Sequence, residues 1–146
     1  MIIDVENTRI AKLGKYLEII LEELNSKYKR INADFLGIDV NNYSLDKIPT
    51  ASTVEKWLTG TKICRDVYSF RSRNAYSSDR LSNLKNIGFF EMFQKTINSN
   101  NDNGILPEIN NIESIECLNP GTFNNADASG KTAEFDIQLQ ITYRED

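Results

Sequence analysis

The sequence predicts an α+β fold: a mostly antiparallel or mixed β-sheet with two main helices packed on one face. Three observations carry this expectation. From Ala133 to Tyr143 every second residue is apolar, the period of a strand with one dry face. Ile10, Leu13, Leu17, Ile20, Leu21, Leu24 and Tyr28 recur at three- and four-residue steps, the period of an amphipathic helix. A second helical stretch, SSDRLSNLKNIGFFEMFQKTINSNND, stands between two strand-rich regions, an order that suits helices laid on one side of an antiparallel sheet. The 146 residues fit a single domain, 1–146, and contain no internal repeat.

In TRIAKLGKYLEIILEELNSKYKR, Asp4 or Asn7 is placed to cap the helix start, and Lys27, Lys29 and Arg30 lie near its negative end. Gly14 costs such a helix about 1 kcal/mol relative to alanine, which points to close approach by another backbone. INADFLGIDV changes the parity of its apolar residues midway, as in a strand buried on both sides or bulged near Gly37. NNYSLDKIPTAS is rich in turn formers and holds Pro49, so an exposed loop is expected over 41–52. TVEKWLTGTKICRDVYSFRSRNA reads as a hairpin with Thr59-Gly60-Thr61 at its tip. Trp57 then faces Ile63 and Glu55 faces Arg65, unless a two-residue loop shifts the register. In the second arm Cys64, Tyr68 and Phe70 share one face, and Arg65, Ser69, Arg71 and Arg73 the other. Ser78 or Asp79 can cap the second helix, whose apolar load is Leu81, Leu84, Phe89, Phe90, Met92, Phe93 and Ile97, with a break suggested at Gly88. A polar connector, SNNDNGILP, leads to a strand around IESIECLN, a long loop over 120–131 and the alternating last strand.

Composition narrows the function classes. With 40% hydrophobic and 26% charged residues the chain is neither disordered nor membranous. No apolar run approaches the roughly 20 residues that cross a bilayer. MIIDVENTRI carries acids where a secretory signal carries bases, so synthesis and use in the cytoplasm, or in a particle assembled there, are expected. The net charge of −4 argues against a duplex-binding footprint. The absence of histidine removes the commonest general base and metal ligand, and every Ser-His or Cys-His arrangement. Cys64 and Cys117 lack metal-ligand spacing and read as small buried hydrophobes rather than a disulfide.

Glu134 and Asp136, about 7 Å apart along one strand face, are the best pair for a small carboxylate-based enzyme, but alternating acids are ordinary on a wet strand face. RDVYSFRSRN interleaves arginines with aromatics, as a nucleic-acid adaptor would. Parity, however, sends Tyr68 and Phe70 to the side opposite Arg65, Arg71 and Arg73. TGTK and SGKT lack the phosphate-loop frame. No catalytic residue, cofactor or metal is therefore assigned. Rows of both signs on one face suit contact with a copy or a neighbour, which makes Arg65, Arg71, Arg73, Glu134 and Asp136 candidate interface residues.

The run VEKWLTGTKICRDVYSFRSRNAYSSD, then NIGFFEMFQKTIN, GILPEI and GKTAEFDIQLQITYRED, resembles tail terminator proteins of tailed bacteriophages. These are often filed as minor capsid proteins and also occur in phage-tail-like bacteriocins. The resemblance covers roughly residues 50 to 146 in consistent order. It implies a virion structural protein rather than an enzyme, with helices on one side of a sheet. It also implies a homohexameric ring that caps the tail tube protein, stops tube polymerisation and docks a head-completion or collar protein. In contractile tails the ring also meets the sheath protein. DNA would pass through an acidic ring without specific binding. The family supplies no motif of functional residues to carry over. Another head-tail connector or a tube subunit of the same particle is the nearest alternative.

Overall fold

The computed structural model describes residues 2–24, 30–33, 36–37, 42–50, 53–75, 80–119, 121–126 and 131–146. In chain order they form a 3-10 turn (Val5–Asn7), α1 (Arg9–Glu23), β1 (Arg30–Ala33), β2 (Asn42–Ile48), β3 (Thr53–Lys56), β4 (Lys62–Ala75), α2 (Arg80–Asp102), β5 (Ile112–Cys117), β6 (Thr122–Ala126) and β7 (Thr132–Glu145). The seven strands make one mixed sheet, with both helices on one face, as the sequence predicts.

The alternation in β4 and β7 organises everything else. These two strands pair antiparallel in unbroken register over fourteen positions, from Lys62↔Glu145 to Ala75↔Thr132, roughly 45 Å of ladder. Pairing in that register puts Cys64 opposite Tyr143, Tyr68 opposite Leu139 and Phe70 opposite Ile137, so both apolar rows fall on one side. The outer edges are shared. β2 and β3 pair with different parts of β4, and β5 and β6 with different parts of β7. β1 runs parallel to β2.

The helices cover this dry face. α1 buries Leu13, Leu17, Ile20 and Leu21 completely or nearly so, and α2 contributes Phe90, Phe93 and Ile97. Each such side chain stabilises the fold by about 1.5–3 kcal/mol through burial. Tyr43, Phe70 and Phe93 stack in sequence, with ring centroids 5.3 Å apart at each step. Thr8 caps α1, its hydroxyl accepting from the Ala11 N–H, while Asn7 donates to Asp4 in the preceding turn at 2.6 Å. α2 ends where Gly104 takes a φ of 71° and the Ile105 N–H reaches back to the Asn100 carbonyl at 2.8 Å.

Several expectations need correction. The loop expected over 41–52 contains β2, whose Tyr43 and Leu45 are buried; its turn formers flank an alternating strand. The hairpin register differs by two residues: Glu55 faces Ile63 and Lys56 faces Lys62, because the turn takes 57–61 and a bulge follows Thr53. The 120–131 loop holds β6, which pairs with β7. α2 runs through Gly88 without a break and continues into the expected connector as far as Asp102. Met92 and Leu84 are about half exposed, so the apolar load of α2 is not all core. Among the described residues nothing outside its own helix comes within 4 Å of a Cβ placed on Gly14, so the close backbone contact expected there is not found among them. Cys64 is buried, Cys117 half-buried, and both are free. The proposed helix residues Lys27, Tyr28 and Lys29, the caps Ser78 and Asp79, and most of the second half of INADFLGIDV lie outside the described residues. No helix among the described residues is long and apolar enough to cross a membrane.

Candidate functional site

The face turned away from the helices carries all five candidate residues. Parity places Arg65, Arg71 and Arg73 there from β4, and Glu134 and Asp136 from β7. The register then decides which of them meet. Arg71 forms an ion pair with Asp46 on β2, and its Nη1 lies 3.1 Å from Glu134 Oε1 on β7. Its Nη2 also donates to Ser44 Oγ at 3.4 Å. Burial alone would lower the Arg71 pKa, but the hydrogen bonds and charges of Asp46 and Glu134 outweigh it and raise it. Asp136 accepts from Ser69 at 3.2 Å, and Arg73 donates to the Gly37 carbonyl at 3.2 Å. Arg65, opposite Thr142, is exposed.

Arg71 thus meets Glu134 diagonally, although Asp136 is the residue directly opposite it; Arg73 makes a separate contact, and Arg65 stands apart from the others. Asp46, Arg71 and Glu134 form a run of opposite charges across β2, β4 and β7. Glu134 is held by Arg71 and Asp136 by Ser69, on the face turned away from the helices.

Sequence reasoning missed Asp66. It shares the parity of Cys64 and Tyr68, so its carboxylate points into the core and is fully buried. Arg9, in the first turn of α1, donates to Oδ2 at 2.7 Å and lies 4.5 Å over the Tyr143 ring. The Tyr68 hydroxyl donates to Oδ2 at 3.1 Å and the Tyr143 hydroxyl to Oδ1 at 3.2 Å. Lys47 Nζ lies 3.8 Å from Oδ1. Burial first, and the Asp66 charge second, raise the pKa of both tyrosines. Burial would lower that of Arg9, but Asp66 raises it overall. Two hydroxyls and two cations around one carboxylate tie the start of α1 to the sheet. The signal was available: an acid on the apolar parity of a strand is the buried charge that needs partners.

Beside this anchor a cleft of about 540 Å³ opens between Arg9, Lys12, Asn111, Tyr143 and Glu145. A second cleft, of about 440 Å³, lies between α1 and the segment following α2. At the β3–β4 hairpin tip Trp57 is 44% exposed and Leu58 fully exposed. Among the described residues no cluster of three or more Cys, Asp or Glu side chains is placed to hold a metal ion. The chain matches no protein-family model and no curated protein.

Proposed function

We propose that the chain is a structural virion protein, a tail terminator. It forms a ring on the end of the tail tube, stops tube polymerisation, and presents the surface on which a head-completion or collar protein docks. The observation that supports this most is the one-sided sheet. α1 and α2 dry one face, while the other presents Asp46, Arg71, Glu134, Ser69 and Asp136 already paired and held in rows. A surface fixed in this way needs little ordering when it meets a flat protein partner, and preorganisation saves the free energy that binding otherwise spends on freezing side chains. The resemblance of residues 50–146 to tail terminators supports the same role. On this reading the protein belongs to the virion tail, assembled in the host cytoplasm, and no enzymatic step is involved.

The test is mass measurement of the chain alone and with the tube protein of the same particle, together with electron microscopy of the tubes. A sixfold complex seated on tube ends, with tube length limited in its presence, is expected. Tubes of unchanged length with no bound chain would refute the role. Incorporation along the whole tube would instead make it a tube subunit.

A further inference from the structure

We propose that Asn103–Gly104 is a self-modification site, shut while the end of α2 is capped and open when that end frays, and that the isoaspartate it forms cannot rebuild the cap. The chemistry needs only water and is independent of what the chain assembles with.

The sequence contains one asparagine followed by glycine, and it is this pair. An asparagine carboxamide is open to attack by the amide nitrogen of the next residue, because closure makes an unstrained five-membered ring. Glycine in the second place brings no Cβ, so its nitrogen approaches freely once the backbone turns. The lone pair of the Gly104 nitrogen forms a bond to Asn103 Cγ. The Cγ–Nδ2 bond breaks, and Nδ2 leaves as ammonia with the proton that the Gly104 nitrogen gives up. Water then opens the imide at either carbonyl and returns a proton to the Gly104 nitrogen. One opening gives aspartate. The other gives isoaspartate, whose main chain runs through the former side chain and is longer by a methylene.

The cap of α2 restrains both reacting groups. Gly104 N–H donates to the Asn101 carbonyl at 3.2 Å and Ile105 N–H to the Asn100 carbonyl at 2.8 Å, with Gly104 at a φ of 71°, the pattern of a Schellman cap. The proton on the attacking nitrogen is therefore engaged. So is the carboxamide, since Asn103 Nδ2 donates to Ser99 Oγ at 3.5 Å. Both residues are nonetheless exposed, so water reaches them as soon as the last turn opens. Helix ends are among the first places where a fold opens.

The same turn is a junction between elements. Asn101 Oδ1 accepts from the Ile115 N–H at 2.9 Å, which ties β5 to the end of α2. The Tyr16 hydroxyl donates to the Ile105 carbonyl at 2.8 Å, which ties α1 to it as well. A methylene added to the main chain at 103 puts the Gly104 and Ile105 N–H groups out of step with the carbonyls they now reach. Either product also sets a carboxylate at the negative end of the α2 dipole. Isoaspartate formation therefore loosens the hold of α2 on β5 and α1 together, and the loss of ammonia makes it irreversible.

The test is peptide mapping by mass spectrometry of the full chain held in weakly alkaline buffer, folded or in urea. Aspartate and isoaspartate at 103 are expected in both, forming about tenfold or more faster in urea, where no cap has to open first. Tyr16→Phe removes only the hydroxyl that braces Ile105, so it should speed the folded reaction and leave the urea rate unchanged. Asn103→Gln should stay unmodified at this position over the same period. In the isoaspartate form, hydrogen exchange at the Ile105 and Ile115 amides should rise about tenfold or more over the parent. A folded rate equal to the urea rate, or one that Tyr16→Phe leaves unchanged, overturns the gating by the cap. An Asn103 that stays intact in urea overturns the site itself. Unchanged exchange at Ile105 and Ile115 in the isoaspartate form overturns the loss of the cap.

Discussion

Replacing Arg9 with alanine removes the charged partner of a carboxylate that has no route to water. Asp66 is fully buried, whereas the Arg9 side chain is 37% exposed, so the two ends of the pair respond differently to truncation. Breaking a buried pair costs about 3–5 kcal/mol, because the remaining ion is left uncompensated. Asp66 would keep two tyrosine donors and Lys47 at 3.8 Å, which places the expected loss near the lower end, at about 3 kcal/mol. For a domain of this size that is a fall in Tm of roughly 6–12 °C. Asp66→Asn removes the buried charge instead and leaves Arg9 free to reach solvent, so it should cost less, about 1–2 kcal/mol. The double variant should be more stable than the sum of the single losses predicts, since neither retains an orphaned charge. Urea unfolding followed by circular dichroism measures all three. An Arg9→Ala protein within about 0.5 kcal/mol of the parent would refute the account of Asp66 as an anchored, ionised keystone.

Other outcomes are expected from the same chemistry. The folded-state pKa values of Tyr68 and Tyr143 are raised above the ordinary 10.0, so above about pH 10 the unfolded chain loses phenolic protons that the folded chain keeps. Stability should therefore fall as pH rises past 10, and the slope should flatten in Tyr143→Phe; a urea midpoint constant from pH 9 to 11 would contradict this. Burial pushes the Cys117 thiol up to about 12, so it should resist alkylation at pH 8 until the chain is unfolded in urea. Prompt labelling of the folded protein would contradict this burial. On the wet face, Arg71→Glu would set a third carboxylate beside Asp46 and Glu134 and so should lower both stability and ring assembly. Arg65→Glu, at an exposed site, should weaken assembly with stability unchanged within about 0.5 kcal/mol. Assembly indifferent to Arg65 would remove it from the interface.

What the sequence revealed depended on how many residues spoke for each element. β7 alternates over its whole length, and β4 repeats a parity that the aromatics mark, so both strands and their two faces were legible. β2 has only Tyr43 and Leu45 to declare its dry side, and asparagines, Pro49 and serines around them carry the look of a loop. Gly88 suggested a break, but its position has open space beside it and the packing of Phe90 and Phe93 holds the helix straight through. Parity placed Arg71 and Glu134 on the same face. Only the register, which joins β2, β4 and β7 across long separations in sequence, shows that they touch. Asp66 was passed over because a search for apolar positions skips an acid, although its position alone placed it among them.

The place of β7 in the sheet has a consequence for how the molecule comes to exist. It is the latest of the strands in sequence, yet it lies between β4 and β5 and pairs with both. Until β7 is synthesised, fourteen residues of β4 offer an open template to any extended segment nearby. Assembly of the domain is thus limited by long-range strand pairing, which is slow. Arg65, Arg71, Arg73 and Asp66, spaced along that waiting edge, put a charge on or beside every apolar stretch of it and so discourage other chains from filling the gap first.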